Sequence, residues 1–213
     1  LLIQLPLPER LYVSEVLNSI NPEIDVDCLT DCNLGKLVMN TNKIEPPTPW
    51  AVAHILKDIS ASPPRFAGRG RGGGSASGGD LTGKNITIIG MGALVGKPLA
   101  IMLINELASV TTCNSHTKNI KEKCLTADIV VTAVGKKLNL LTDDMIKEGA
   151  VVIDTGIVYE NGKMHGDVDF ENVSKKASYI TPTPGGVGPI TVSKLLLNTA
   201  TCAENKKINI IIL

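Results

Sequence analysis

The run Asn85-Ile86-Thr87-Ile88-Ile89 leads into Gly90-Met91-Gly92-Ala93-Leu94-Val95-Gly96-Lys97-Pro98 and then an apolar stretch from Leu99 to Leu107. A strand, a glycine turn and a helix in that order can hold a pyrophosphate. Glycines let the backbone approach it, and amide hydrogens at the positive end of the helix meet its charge. The spacing is G-x-G-x-x-x-G, one residue longer than the standard dinucleotide fingerprint. Alone, it also serves a tight turn and close helix packing.

Other strand ends carry compatible groups. The run Val110 to Cys113 continues as Asn114-Ser115-His116-Thr117, without the carboxylate that would clamp the adenosine ribose of NAD. Hydroxyl and amide groups there can hydrogen-bond a ribose or a 2′-phosphate; an ordinary polar loop is the alternative. Ala133-Val134-Gly135 and Asp154-Thr155-Gly156-Ile157 each put a glycine where a nicotinamide or ribose could press against backbone. Thr181-Pro182-Thr183-Pro184-Gly185-Gly186-Val187-Gly188-Pro189-Ile190-Thr191 is so dense in Pro and Gly that it must have a special shape.

Elements of an α/β fold must position these groups. Apolar runs at Ile86–Ile89, Val110–Cys113, Ile129–Val134, Val151–Ile153 and Tyr179–Ile180 recur with helical or loop segments between them. Short, nearly continuous apolar strands of this kind predict a parallel sheet covered on both faces, with ligands at the strands' carboxyl ends. Upstream, Leu1 to Leu5 read as the end of a strand stopped by Pro6 and Pro8, followed by helical spacing at Leu11, Val13, Val16, Leu17 and Ile20. Thr48 before Pro49 predicts an N-cap for a helix running to about Ile59. Between Ser60 and Asp80 a Gly/Ser/Arg run reads as a flexible insertion. Arg69 and Arg71, with no aromatic beyond Phe66, make a poor RNA-binding tail.

The 213 residues (22.5 kDa) are 43% hydrophobic, enough for a core, and 21 basic residues cancel 21 acidic ones. That balance argues against nucleic-acid and anionic-membrane partners. No apolar run approaches the roughly 20 residues that span a bilayer. Five cysteines (Cys28, Cys32, Cys113, Cys124, Cys202) without a C-x-x-C pair fit free thiols in a reducing compartment. Leu1 in place of Met suggests a processed or truncated N-terminus.

Several segments together carry a resemblance. Ile3-Gln4-Leu5-Pro6-Leu7-Pro8, Ile24-Asp25-Val26-Asp27, Asn33-Leu34-Gly35-Lys36-Leu37, Pro47-Thr48-Pro49, Gly166-Asp167-Val168-Asp169-Phe170 and Ile180 to Thr191 are similar to the bifunctional methylenetetrahydrofolate dehydrogenase/methenyltetrahydrofolate cyclohydrolase family. The resemblance implies a partial folate-binding domain (residues 1–59, completed by a C-terminal helix over 192–204), the Gly-rich insertion (60–80) and a Rossmann-type NAD(P) domain (81–191), with a cleft between the lobes. It implies oxidation of the methylene carbon of the folate and hydration of the resulting cation, a homodimer, and a cytoplasmic or mitochondrial location. It assigns Gln4 and Asp27 to catalysis, and Ile3, Gln4, Leu5, Asp27, Pro184, Gly185, Gly186, Val187 and Gly188 to the folate. Gly90, Met91, Gly92, Ser115, Gly135 and Ile157 fall to the cofactor, with NADP expected and NAD the alternative.

Three departures stand beside it. The family's catalytic lysine belongs to a Y-x-x-x-K motif upstream of the Q-L-P-L-P segment, so no lysine here takes that role by motif, and hydration then depends on residues preceding Leu1. Met91 stands where the family has an arginine able to pair with a 2′-phosphate, whereas Ser115 matches the family serine. Cys28 replaces a glycine, which adds strain if that position needs a positive φ. Leu107 and Ser115 occupy the places of a metal-holding pair found in NAD-specific members, so no metal is expected. His54, His116, His165 and Lys97 read as solvated or core residues rather than catalytic ones. Two other readings remain open at this point: a non-catalytic remnant serving as a binding or dimerisation module, and a dehydrogenase for another small substrate.

Overall fold

The computed structural model describes residues 1–5, 7–8, 13–61 and 80–211. The Gly-rich insertion therefore lies almost wholly outside the described residues, as do Pro6 and Leu11. In chain order the elements are α1 (Val13–Asn18), α2 (Asp31–Val38), α3 (Pro47–Ala61), β1 (Asn85–Ile89), α4 (Gly96–Asn105), β2 (Ser109–Cys113), α5 (Ile120–Leu125) and β3 (Ile129–Thr132). They continue with β4 (Val151–Asp154), the hairpin β5 (Val158–Glu160) and β6 (Lys163–His165), α6 (Phe170–Val173), β7 (Tyr179–Ile180) and α7 (Val187–Ile211).

The predicted apolar runs form one five-stranded parallel sheet in the order β2-β1-β3-β4-β7. Both faces are covered, which is why the central strands are nearly uninterrupted in their apolar character. On one face Ile86, Ile88, Val131 and Ile153 pack with Leu99 and Leu103 of α4, Ala51, Val52 and Leu56 of α3, and Val187 at the start of α7. On the other, Ile89, Val130 and Val152 pack with Cys124 of α5, Val173 of α6, and Leu141 and Ile146. A third cluster, Val26, Cys28, Ile44 and Cys202, fastens the far part of α7 to the N-terminal segments.

The strand order has a functional consequence. From β1 the chain passes to its neighbour β2 on one side; from β3, on the other side of β1, it moves on to β4. The loops after β1 and β3 thus leave in opposite directions, opening a crevice at their carboxyl ends.

Several local expectations are corrected. Leu1 to Leu5 are not a strand, because among the described residues no strand lies beside them to pair. Thr48 is not an N-cap; α3 begins one residue before it, at Pro47, whose missing N–H costs nothing in a first turn. α4 begins at Gly96 rather than Leu99 and ends at Asn105, before Leu107 turns to φ 61°. The last helix begins at Val187, not Val192, taking Gly188 and Pro189 into its first turn.

Candidate active site

The turn after β1 is shaped by two of its three glycines. Gly90 has φ 107°, and a Cβ there would overlap the Ala133 carbonyl at the end of β3. A Cβ on Gly96 would collide with the Gly90 carbonyl, so the first turn of α4 packs directly on the strand end. Gly92 has open space around it, and no steric need for glycine exists at that position. Val95, the N-cap of α4, provides no side-chain cap; the Lys97 amide donates to the Gly92 carbonyl (3.1 Å) and Pro98 has no N–H, so in the first turn the Gly96 amide is the one left for an anion. Met91 is half-buried against the sheet core. Ser115 is exposed at the end of β2, in a loop where the His116 amide donates to Asn114 Oδ1 (2.9 Å) and the Asn114 amide to Thr117 Oγ1 (2.9 Å).

Gly135, at φ 63°, follows β3 and packs against Ile157 after β4; a Cβ on it would stand 3.4 Å from the Ile157 carbonyl oxygen. The loop 181–186 carries a cis Thr183–Pro184 bond, Gly185 at φ 101°, and Gly186 so close to Pro182 that a Cβ would lie 2.5 Å from its carbonyl oxygen. Its predicted special shape is therefore present.

That loop lines a hollow of about 590 Å³ together with Asp154 to Ile157, Met164, Thr48, Val95, Thr191 and Val192. Pro184, Gly185, Gly186, Val187, Gly188 and Ile157 all border it. Ile3, Gln4, Leu5 and Asp27 border a second hollow of about 240 Å³ with Leu2, Leu29, Pro47, Leu94 and Leu195. Thr48, Val95 and Thr191 belong to the walls of both, so the two hollows meet at a waist. Across it Thr191 Oγ1 donates to Thr48 Oγ1 at 3.4 Å. Gly90, Met91, Gly92, Ser115 and Gly135 border neither hollow; they follow β1, β2 and β3, along the crevice.

Within Ile24-Asp25-Val26-Asp27 the two carboxylates divide. Asp25 is buried and structural, accepting from the Leu29 and Thr30 amides (3.1 and 2.9 Å), Thr30 Oγ1 (2.8 Å) and Asn33 Nδ2 (3.0 Å). Asp27 is half-buried at the smaller hollow, and burial, reinforced by the Asp25 charge, raises its pKa above the usual carboxylate value. A carboxyl group so placed can exchange a proton or bond a ring nitrogen. Gln4 is exposed at the rim, its Nε2 donating to the Leu5 carbonyl at 3.0 Å. Cys28, the glycine replacement, is buried at φ 58°.

Other contributors had no local sequence signal. Lys194 is buried beside Glu45, and Asn198 Nδ2 donates to the carbonyls of Val26 and Glu45 (both 2.8 Å), so α7 holds the Asp27 loop in place. Tyr159 to Lys163 fits the Y-x-x-x-K spacing, yet these residues form the β5–β6 hairpin and border neither hollow.

Residues 75–207 match the family described as tetrahydrofolate dehydrogenase/cyclohydrolase, NAD(P)-binding domain. A bifunctional protein FolD of Nautilia profundicola is 43% identical over 206 residues, covering 96% of this chain and 66% of the relative. The crystal structure of the bifunctional enzyme FolD, a methylenetetrahydrofolate dehydrogenase/cyclohydrolase from Campylobacter jejuni, superposes with a TM-score of 0.83 at 42% identity, covering 95% of this chain and 66% of that one. A Trypanosoma brucei methylenetetrahydrofolate dehydrogenase-cyclohydrolase complexed with NADP and inhibitor gives 0.80 at 37% identity, again over 95% of this chain and 66% of that one. The chain thus spans about two thirds of the length of these relatives. Matches this broad, at this identity and along nearly the whole chain, establish kinship: the chain belongs to the tetrahydrofolate dehydrogenase/cyclohydrolase family and carries its NAD(P)-binding domain.

Proposed function

We propose that the protein oxidises 5,10-methylenetetrahydrofolate to the 5,10-methenyl form with NADP or NAD, and hydrates that product to 10-formyltetrahydrofolate. The observation that carries this reading is the waist. A small hollow with a pterin-sized choice of polar groups, Gln4 and Asp27, opens into a larger hollow walled by the Pro184–Gly188 backbone and Ile157. In this reading residues 1–59 with 192–204 form the folate side and 81–191 the nucleotide side.

The residues fit a dinucleotide. Gly90 and Gly96 leave no room for side chains where a pyrophosphate must approach, the start of α4 lacks a side-chain cap, and both lie at the crevice between β1 and β3. When bound, NAD(P) supplies the hydride acceptor. Ser115 offers a hydroxyl to a 2′-phosphate whereas Met91 offers no charge, so the two positions point in opposite directions; the family default makes NADP the first choice and NAD the second.

The first step calls mainly for positioning, because the positive charge left on the one-carbon bridge is shared by two nitrogens. Asp27 anchors the pterin ring, Gln4 orients the bridge, and the loop 184–188 holds it toward Ile157. Hydration needs a proton-transfer group as well. Gln4 would orient the lysine that the family carries upstream of it, with the water held at the same folate position. A homodimer and a cytoplasmic location complete the reading, supported by the family resemblance and by the bacterial relatives. No helix among the described residues is long and apolar enough to cross a membrane.

The test is the absorbance of reduced nicotinamide with methylenetetrahydrofolate and each cofactor in turn. Turnover with either cofactor supports the reading. A flat trace with both, from folded protein, replaces it with a non-catalytic binding module. Methenyltetrahydrofolate hydrolysis by these 213 residues alone would show that the hydration step needs no upstream lysine.

A further inference from the structure

Two carboxylates, Asp154 (4% exposed) in the wall of the larger hollow and Asp167 (fully buried) behind it, have no ion-pair partner among the described residues. Buried carboxylates without a cation survive only if hydrogen bonds replace water, and here the donors are almost all backbone amides of strand-end turns. Asp167 accepts from the Val134 amide (2.8 Å) and the Gly135 amide (2.9 Å). Asp154 accepts from the Gly156 amide (2.9 Å), the Asp167 and Val168 amides (3.2 and 3.1 Å) and Thr132 Oγ1 (2.8 Å).

The glycines around them are explained by this packing. A Cβ on Gly156 would overlap the Asp167 carboxylate, and one on Gly166 would overlap that of Asp154. Each carboxylate thus fills space that a side chain on the other's segment would take. The turn after β3 and the turn after β4 are thereby tied to one segment, 166–168.

We propose that Asp154 and Asp167 are positioning residues for the cofactor, fixing the relative heights of Gly135 and Ile157 so that the two turns form one backbone floor for its nicotinamide and ribose. This rests on the dehydrogenase reading above. Neither carboxylate donates a proton or touches a reacting atom; they act through the amides they hold. An asparagine at 167 keeps one acceptor but points an NH₂ at an amide that needs one, so one turn is released. Loss of the floor weakens cofactor engagement while the folate hollow, bordered by neither Asp167 nor its partners Val134 and Gly135, is left intact.

The experiment compares Asp167→Asn with the unaltered protein: NADPH and NADH affinity by their fluorescence, KM for each substrate, and the urea unfolding midpoint. The expected result is cofactor affinity lowered roughly tenfold or more, with folate KM changed less than about twofold. Thr132→Val, which removes one donor to Asp154 at nearly constant shape, gives the same split at about threefold and covers the case in which Asp167→Asn does not fold. Unchanged cofactor affinity in the folded Asp167→Asn variant, or in Thr132→Val, overturns the inference and leaves a purely structural pair. An unaltered protein that binds neither NADPH nor NADH overturns it too, but through the dehydrogenase reading, which that measurement tests separately.

Discussion

The Lys194 ammonium lies 2.7 Å from Glu45 Oε2 and 4.7 Å from the centre of the Trp50 ring, so one buried cation on α7 joins the N-terminal segments to α3. Trp50 is itself stacked on His54, with ring centroids 4.6 Å apart. Removing one partner of a fully buried pair costs about 3–5 kcal/mol, and the Glu45 side chain is 32% exposed. Lys194→Met is therefore expected to cost about 2 kcal/mol, read as a lower urea midpoint. An unchanged midpoint would show that the aromatic and apolar contacts alone hold α7.

Asp27 and Gln4 border the smaller hollow only. Asp27→Ala is expected to reduce kcat/KM for the folate by roughly ten- to a hundredfold, the equivalent of a lost charged hydrogen bond at about 1.5–3 kcal/mol. Cofactor affinity should hold. If instead both affinities fall together, Asp27 supports the lobe rather than the ligand.

Cys28 pays for its place. Its φ of 58° costs an L residue about 1–2 kcal/mol, while its buried sulfur fills a gap beside Val26, Ile44 and Cys202. Cys28→Gly relieves the first and loses the second, so denaturation should place it within about 1 kcal/mol of the original. Cys28→Val adds both a carbon to a filled site and β-branching at positive φ, and should be the less stable of the two by more than about 1 kcal/mol. The reverse order would mean that filling the site outweighs backbone strain and overpacking here.

Two aspartates should give stability opposite dependences on pH. Lys147, and then the Asn85 amide, bond Asp128 and hold its pKa below the ordinary value. The native state resists protonation there, so that stability is present above pH of about 4 and lost as pH falls through the lowered pKa. Asp167 is the other case: burial raises its pKa, only partly opposed by the Val134 and Gly135 amides. Its native state holds the proton more tightly, so stability falls as pH rises from the unfolded value through the raised one. Urea titrations across the acid range should find Asp128→Asn flattening the acid loss. Asp167→Asn should remove a slope of the other sign. Two variants with the same slope as the original protein would refute the assignment.

Much of the fold is legible because a parallel strand buried on both faces is nearly continuous in apolar residues, and the runs from Ile86, Ile129 and Val151 are, broken only by Thr87, Thr132 and Asp154. The β5–β6 hairpin escapes that test, its strands being three residues long and largely exposed. A signal was nonetheless present: Asn161-Gly162, at φ 51° and 75°, is the dipeptide that a two-residue hairpin turn favours. Leu1 to Leu5 show the converse error, since strand-like composition cannot supply a neighbour. In the candidate site, motif-bearing segments led to Gln4, Asp27 and the loop after β7. The Asp154–Asp167 arrangement and the Lys194 pair were not legible, because each joins residues far apart in the chain through contacts that leave no local period.

The waist at Thr48, Val95 and Thr191 draws one residue from each of three segments and lends it to both hollows. Whatever occupies one chamber therefore sets the shape of the doorway seen from the other. By thermodynamic reciprocity, a folate that tightens the nucleotide must itself be tightened by the nucleotide to the same degree. Thr48→Val and Thr191→Val, in the walls of both hollows, are expected to alter this mutual term.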